Sequence, residues 1–148
     1  MSETTAFAPI TKSLSVTCDT ETAFRLFTHE IGTWWPVDTH ARNAGEVAEV
    51  VWEEHEGGEV YEISLTGERC RWATVLTWEP PHRLVIAWQV NPDRLGTEVE
   101  VRFTPDGGGT RVDLEHRGWE RLTAATDDHA GYDTGWDEVL GRFTARLS

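Results

Sequence analysis

The sequence is short of the residues that staple, anchor or charge a chain positively. It has two cysteines in 148 residues, Cys18 and Cys70, far apart and at no metal-ligand spacing. That excludes a disulfide framework and a structural zinc site, and the pair reads as reduced, half-buried thiols. No apolar run approaches the ~20 residues that span a bilayer, so membrane insertion is excluded. Met1 to Pro9 has neither a basic cluster nor an apolar stretch. A secretory signal is therefore not expected, and a cytoplasmic location is. Basic residues are scarce: 13 Lys and Arg face 26 Asp and Glu, a formal charge of -13. Nucleic acid and anionic membrane surfaces both need a basic patch, so neither is expected as a partner.

Motifs of known chemistry are missing as well. Glu53-Glu54-His55-Glu56 has the composition of a metal site, but it is consecutive and runs into Gly57-Gly58, so it reads as a solvated turn. Gly107-Gly108-Gly109 is followed by no Lys-Ser or Lys-Thr and reads as a hairpin, not a phosphate loop. No Ser/His/Asp or Cys/His order stands out. No catalytic residue, metal or cofactor is expected.

What is present is aromatic. Eight tryptophans occur: Trp34, Trp35, Trp52, Trp72, Trp78, Trp88, Trp119 and Trp136. Each has a large apolar body and one N–H that wants a partner, so together they either fill a core or line a wide apolar pocket. A chain of this length forms one domain and buries about 68–70% of its unfolded surface without a staple. Residues 1–9 read as a tail and 10–148 as the domain.

The patterning predicts an α+β order. Ile10, Leu14 and Val16 begin a strand. Asp19 is placed to N-cap a short helix carrying Ala23, Phe24, Leu26 and Phe27, to about His29. Gly32 to Pro36 breaks or redirects it, and Asp38 to Gly45 reads as a loop. Strands are expected over Val47 to Glu53, Val60 to Thr66, Arg71 to Trp78, Arg83 to Val90, Val99 to Phe103 and Val112 to His116, separated by Gly and Pro turns. Asn91 to Gly96 reads as a loop and Gly118 to Gly131 as a linker. Tyr132, Trp136, Val139, Leu140, Phe143 and Leu147 then share one helical stripe, opposite Asp133, Asp137, Glu138, Arg142 and Arg146. A long amphipathic helix after a run of antiparallel strands predicts a sheet curled around it.

That order resembles the START-like (SRPBCC) superfamily, and more closely the heat-shock-protein-90 ATPase activator homologue family. The resemblance rests on Phe24 to Thr28 with Ile31 to Pro36, on Gly57 to Glu62, on Trp72 to Leu84 with Trp88, on Thr97 to Phe103, on Gly109 to Val112, on His116 to Glu120, and on Tyr132 with Gly135-Trp136. It implies a helix-grip (Bet v 1-like) fold: a curved antiparallel sheet wrapped around a long C-terminal helix, with an apolar cavity between them. Relatives bind lipids, hormones or polyketides, and a few catalyse cyclisation.

The expected function is binding of a small hydrophobic or aromatic molecule in that cavity. The alternatives are a polyketide cyclase or aromatase-like enzyme, and a co-chaperone-like protein-interaction domain. Partners are then a small hydrophobic ligand and, as an open option, a second copy of the chain. The cavity candidates are Trp34, Trp35, Trp52, Tyr61, Trp72, Trp88, His116, Trp136 and Leu140. By alternation His116 shares the inward side with Val112 and Leu114. It is either a satisfied core histidine or a polar group facing a ligand. His40 and Arg42 fall in the loop after Trp34-Trp35-Pro36, either at a cavity mouth or on a plain surface.

Overall fold

The computed structural model describes residues 8–89, 96–119 and 125–147, with side chains of 125–131 excepted. In chain order these residues form β1 (Ile10–Val16), α1 (Thr20–Phe27), a 3-10 turn (Ile31–Thr33) and β2 (Val47–Trp52). Then follow β3 (Glu59–Ser64), β4 (Arg69–Glu79), β5 (Arg83–Trp88), β6 (Thr97–Asp106), β7 (Gly109–Arg117) and α2 (Ala125–Arg146). The seven strands make one antiparallel sheet in the order β1-β7-β6-β5-β4-β3-β2, curled into a half-barrel around α2. This is the helix-grip fold.

Local chemistry explains the element ends. Asp19 caps α1 by accepting from the Thr22 backbone N–H at 2.8 Å, which satisfies one of the helix's orphan donors. Thr28 closes the other end, its hydroxyl donating to the Phe24 carbonyl at 2.8 Å. Ala23, Phe24, Leu26 and Phe27 turn into the core. The β6–β7 hairpin turns on Gly107 and Gly108, both at positive φ (57° and 91°). Side chains other than Asn and Asp adopt that conformation at a cost, and the glycines meet the two-residue turn's demand without strain. The register shifts between Val75 and Thr77 of β4; the buried residues of the strand lie before it, and Thr77 and Trp78 beyond it are half-buried.

The predicted stripe packs as drawn. Trp136, Val139, Leu140 and Phe143 are buried, with Tyr132 and Leu147 half-buried beside them. Lys12 ties β1 to α2 through Asp133 and Asp137, at 2.8 and 3.0 Å. The hydrogen bond to Asp133 is the main reason its ammonium is held above its ordinary pKa.

One boundary needs correction. The expected linker Gly118 to Gly131 is helical from Ala125 onward, so α2 begins seven residues before Tyr132. Gly131 closes the stretch that reads as a linker, yet an internal helix glycine costs only about 1 kcal/mol relative to alanine, and helices override that when their neighbours pack. β5 ends at Trp88, and Val90, the expected loop from Asn91 as far as Leu95 and the tail before Ala8 lie outside the described residues.

On the sheet's outer face Glu100, 7% exposed, accepts from Arg83 (2.6 Å), Arg117 (2.6 Å) and Arg102 (2.7 Å). Burial pushes this carboxyl up, but the three guanidinium bonds outweigh it and bring its pKa to about 2.

Candidate ligand-binding site

The inward aromatic side chains form two touching groups. In the first, the Trp35 ring centroid lies 5.1 Å from Trp72, 6.1 Å from Trp88 and 6.0 Å from Trp136. Trp88 is 6.2 Å from Trp136 and 6.1 Å from Trp72. In the second, Trp34 meets Phe143 at 5.1 Å and Phe27 at 5.3 Å, and Trp52 meets Phe27 at 6.3 Å and Trp78 at 6.5 Å. Trp34 and Trp35, 5.7 Å apart, join the groups. They end the 3-10 turn, whose irregular backbone buries two consecutive rings and sends one to each group. Leu140, buried on α2, lies one turn from Trp136 and one from Phe143.

The structure thus brings together Trp34, Trp35, Trp52, Trp72, Trp88, Trp136 and Leu140. The indoles contact one another directly. Most of the indole N–H groups find their partner within the protein. Trp34 donates to the Leu26 carbonyl (2.7 Å), Trp35 to the His40 carbonyl (2.6 Å) and Trp72 to Glu62 Oε1 (2.7 Å). Trp88 donates to the Tyr132 hydroxyl (2.9 Å), Trp119 to the His116 carbonyl (2.9 Å) and Trp136 to His116 Nδ1 (3.0 Å).

His116 is fully buried, and its two ring nitrogens are both engaged. An indole N–H can only donate, so Nδ1 is the acceptor from Trp136. The proton therefore sits on Nε2 and is given to Thr97 Oγ1 at 2.6 Å. This fixes a neutral imidazole in one tautomer. The ring is further held 4.4 Å from Trp119 and 5.0 Å from Tyr132. Of the two readings open in the sequence, the satisfied core histidine is the one observed.

Tyr61 does not join the group and is corrected here. On β3 the buried side chains are Val60, Glu62 and Ser64, and Tyr61 stands on the other face. There the Arg69 guanidinium lies 3.6 Å over its ring.

The residue that sequence reasoning missed is Glu62. It is fully buried and accepts four N–H donors: the backbone amides of Arg42 (2.6 Å) and Asn43 (2.9 Å), Asn43 Nδ2 (2.9 Å) and Trp72 Nε1 (2.7 Å). Burial pushes this carboxyl up, yet the donors together hold it below its ordinary value, so it is charged at neutral pH. Glu62 thereby fastens the 37–46 loop to the sheet. At the loop's other side His40 lies against α2, 3.6 Å from Glu138 and over Gly135. The loop is a strap between sheet and helix, which places His40 and Arg42 beside the aromatic group. Nearby, burial raises the pKa of the Cys70 thiol, and so does its bond to Glu68, which leaves it protonated and unreactive at neutral pH.

Among the described residues no group of His, Cys, Asp and Glu could hold a metal, and no helix is long and apolar enough to cross a membrane.

Comparison with known proteins gives a consistent frame. Residues 17–148 match the model of the family described as Activator of Hsp90 ATPase homolog 1-like protein. Among solved structures, the anthrahydroquino-Gama-pyrone synthase Txn09, complexed with SUM, is 33% identical at a TM-score of 0.65, over 93% of this chain and 95% of that one. CalC, a self-sacrificing resistance protein from Micromonospora echinospora, is 28% identical at a TM-score of 0.71, over 96% and 95%. Protein MLL2253 from Mesorhizobium loti, 17% identical at a TM-score of 0.65 over 93% and 95%, shares the fold alone. No curated protein matches the sequence.

Proposed function

The chain belongs to the activator of Hsp90 ATPase homolog 1-like family, and from that premise we propose that it binds a planar, polycyclic aromatic molecule between α2 and the curled sheet. The observation that carries the reading is the convergence of Trp35, Trp72, Trp88 and Trp136. They come from four separate elements and meet with centroids 5.1–6.2 Å apart. The rings meet tilted or edge-on, at interplanar angles of 40–89°, and offer flat, rigid contact area to another flat ring system. The likeness to a synthase whose name contains an anthrahydroquinone supports a fused-ring ligand over a fatty acyl chain. Entry separates rings that now touch, at a cost of about 0.5–1.5 kcal/mol per aromatic pair, which the ligand's own stacking replaces.

Binding is favoured over proton-transfer catalysis because two fully buried titratable groups among the described residues, His116 and Glu62, are committed. His116 is held between Thr97 and Trp136, and Glu62 accepts four donors. The 33% identity to a synthase favours a cyclase as the second reading. In that case the aromatic walls fold the substrate and proximity supplies the rate.

Titration with 1,8-dihydroxyanthraquinone, read by tryptophan fluorescence and thermal shift, tests the proposal, with decanoic acid in parallel. Saturable quenching and a raised melting temperature with the anthraquinone support it. A response to decanoic acid alone would replace it with lipid binding. Ring closure of a polyketide-like substrate over many turnovers, followed by mass spectrometry, would move the cyclase ahead.

A further inference from the structure

Among the described residues, one fully buried side-chain nitrogen or oxygen lacks a hydrogen-bond partner: Nε1 of Trp52. The contrast with six of the seven other indoles is sharp. Trp34, Trp35, Trp72, Trp88, Trp119 and Trp136 each donate to a protein acceptor within 3.0 Å. Trp52 is only 6% exposed, so solvent does not reach its N–H freely. The rings around it, Phe27 at 6.3 Å and Trp78 at 6.5 Å, have no lone-pair acceptor to offer. A buried donor left in this state raises the free energy of the protein. An incoming acceptor removes that penalty, so the group favours ligands that carry an oxygen over ligands that do not. Its place suits this role. Phe27, which touches Trp52, also meets Trp34 at 5.3 Å and Phe143 of α2 at 5.3 Å, and Trp34 meets Trp35 of the ligand site at 5.7 Å; Trp78 is only half-buried, so this end of the aromatic core reaches the surface.

We propose that the Trp52 indole N–H is the donor that receives a carbonyl or quinone oxygen of the bound aromatic molecule, and so selects oxygenated ring systems over plain hydrocarbons. The inference rests on the aromatic-ligand reading above and adds the ligand's polar anchor to it.

A matched pair of probes tests it. 9-Fluorenone and fluorene share one flat skeleton and differ by C=O against CH2. The wild-type protein is expected to favour fluorenone by about tenfold, the worth of one net hydrogen bond in a buried site. In Trp52→Phe, which keeps a ring and loses the N–H, that preference is expected to fall to about one. An equal preference in both proteins overturns the proposal. Should Trp52→Phe fail to fold, the wild-type 1H–15N spectrum decides. The Trp52 indole signal should move downfield with fluorenone and not with fluorene. A signal unmoved by bound fluorenone overturns the proposal. Binding of neither compound to the wild-type protein overturns the aromatic-ligand reading itself, and this inference with it.

Discussion

Replacing Glu62 by glutamine keeps the side chain's shape and removes its charge. Oε1 now accepts from the Arg42 amide and Trp72 Nε1, and Oε2 from the Asn43 amide and Nδ2, all at 2.6–2.9 Å. A glutamine amide has one oxygen. Whichever way it is turned, its NH2 group confronts two donors, and those two lose their acceptor. Bonds to a charged acceptor are worth about 1.5–3 kcal/mol each, so the gross loss is about 3–6 kcal/mol. Removing a fully buried charge returns part of this, and a net destabilisation of about 2–4 kcal/mol is expected for Glu62→Gln. For a domain of this size that lowers the melting temperature by about 5–15 °C. Urea unfolding followed by tryptophan fluorescence measures it directly. The pH dependence supplies a second check. The folded Glu62 carboxyl lies below its ordinary value of 4.5, so its contribution is complete above pH 4.5 and is lost as pH falls through the folded value. The gap between wild type and variant should therefore narrow on acidification. A loss below about 0.5 kcal/mol at neutral pH would mean that the four donors find other partners and that Glu62 does not fasten the strap.

Phe143→Ala should cost about 3–5 kcal/mol in denaturant unfolding, because the ring is fully buried against Phe27 and Trp34; a loss under about 1 kcal/mol would contradict the packing of α2 on the sheet. Glu100, brought from 4.5 to about 2, should contribute about 2–3 kcal/mol above pH 4.5, discounted because Arg102 is largely exposed. That contribution should disappear between pH 4.5 and 2, and a Glu100→Gln variant whose acid unfolding midpoint matches wild type would rule it out.

The fold was legible because its signals were local. Alternation along β5 to β7, the Gly-Gly turn at Gly107-Gly108, the Asp19 cap and the α2 stripe each point to their element without knowledge of the rest. The start of α2 was not, since the stretch closed by Gly131 reads as a linker until the packing of the following residues is known. β3 shows the limit most clearly. Its alternate sets are Val60, Glu62, Ser64 and Tyr61, Ile63, Leu65. The second set is the more apolar, so patterning turns Tyr61 inward. The structure does the reverse and leaves Leu65 68% exposed, because Glu62 finds four donors that lie 10 to 20 residues away in sequence. Long-range polar satisfaction of this kind leaves no periodic trace. For the same reason the eight tryptophans announced an aromatic interior, but the partners of their N–H groups, and the lack of one at Trp52, could not be read from the chain.

Intermolecular NOEs between bound 1,8-dihydroxyanthraquinone and the tryptophan side chains test the central claim most directly. The account predicts a complex of one probe per chain, with cross-peaks from its ring protons to the indoles of Trp35, Trp52, Trp88 and Trp136 and none to Tyr61 on the far side of β3. Cross-peaks confined to surface residues such as Leu65 and Leu76, or a probe that saturates no site at all, would contradict a ligand seated between α2 and the sheet.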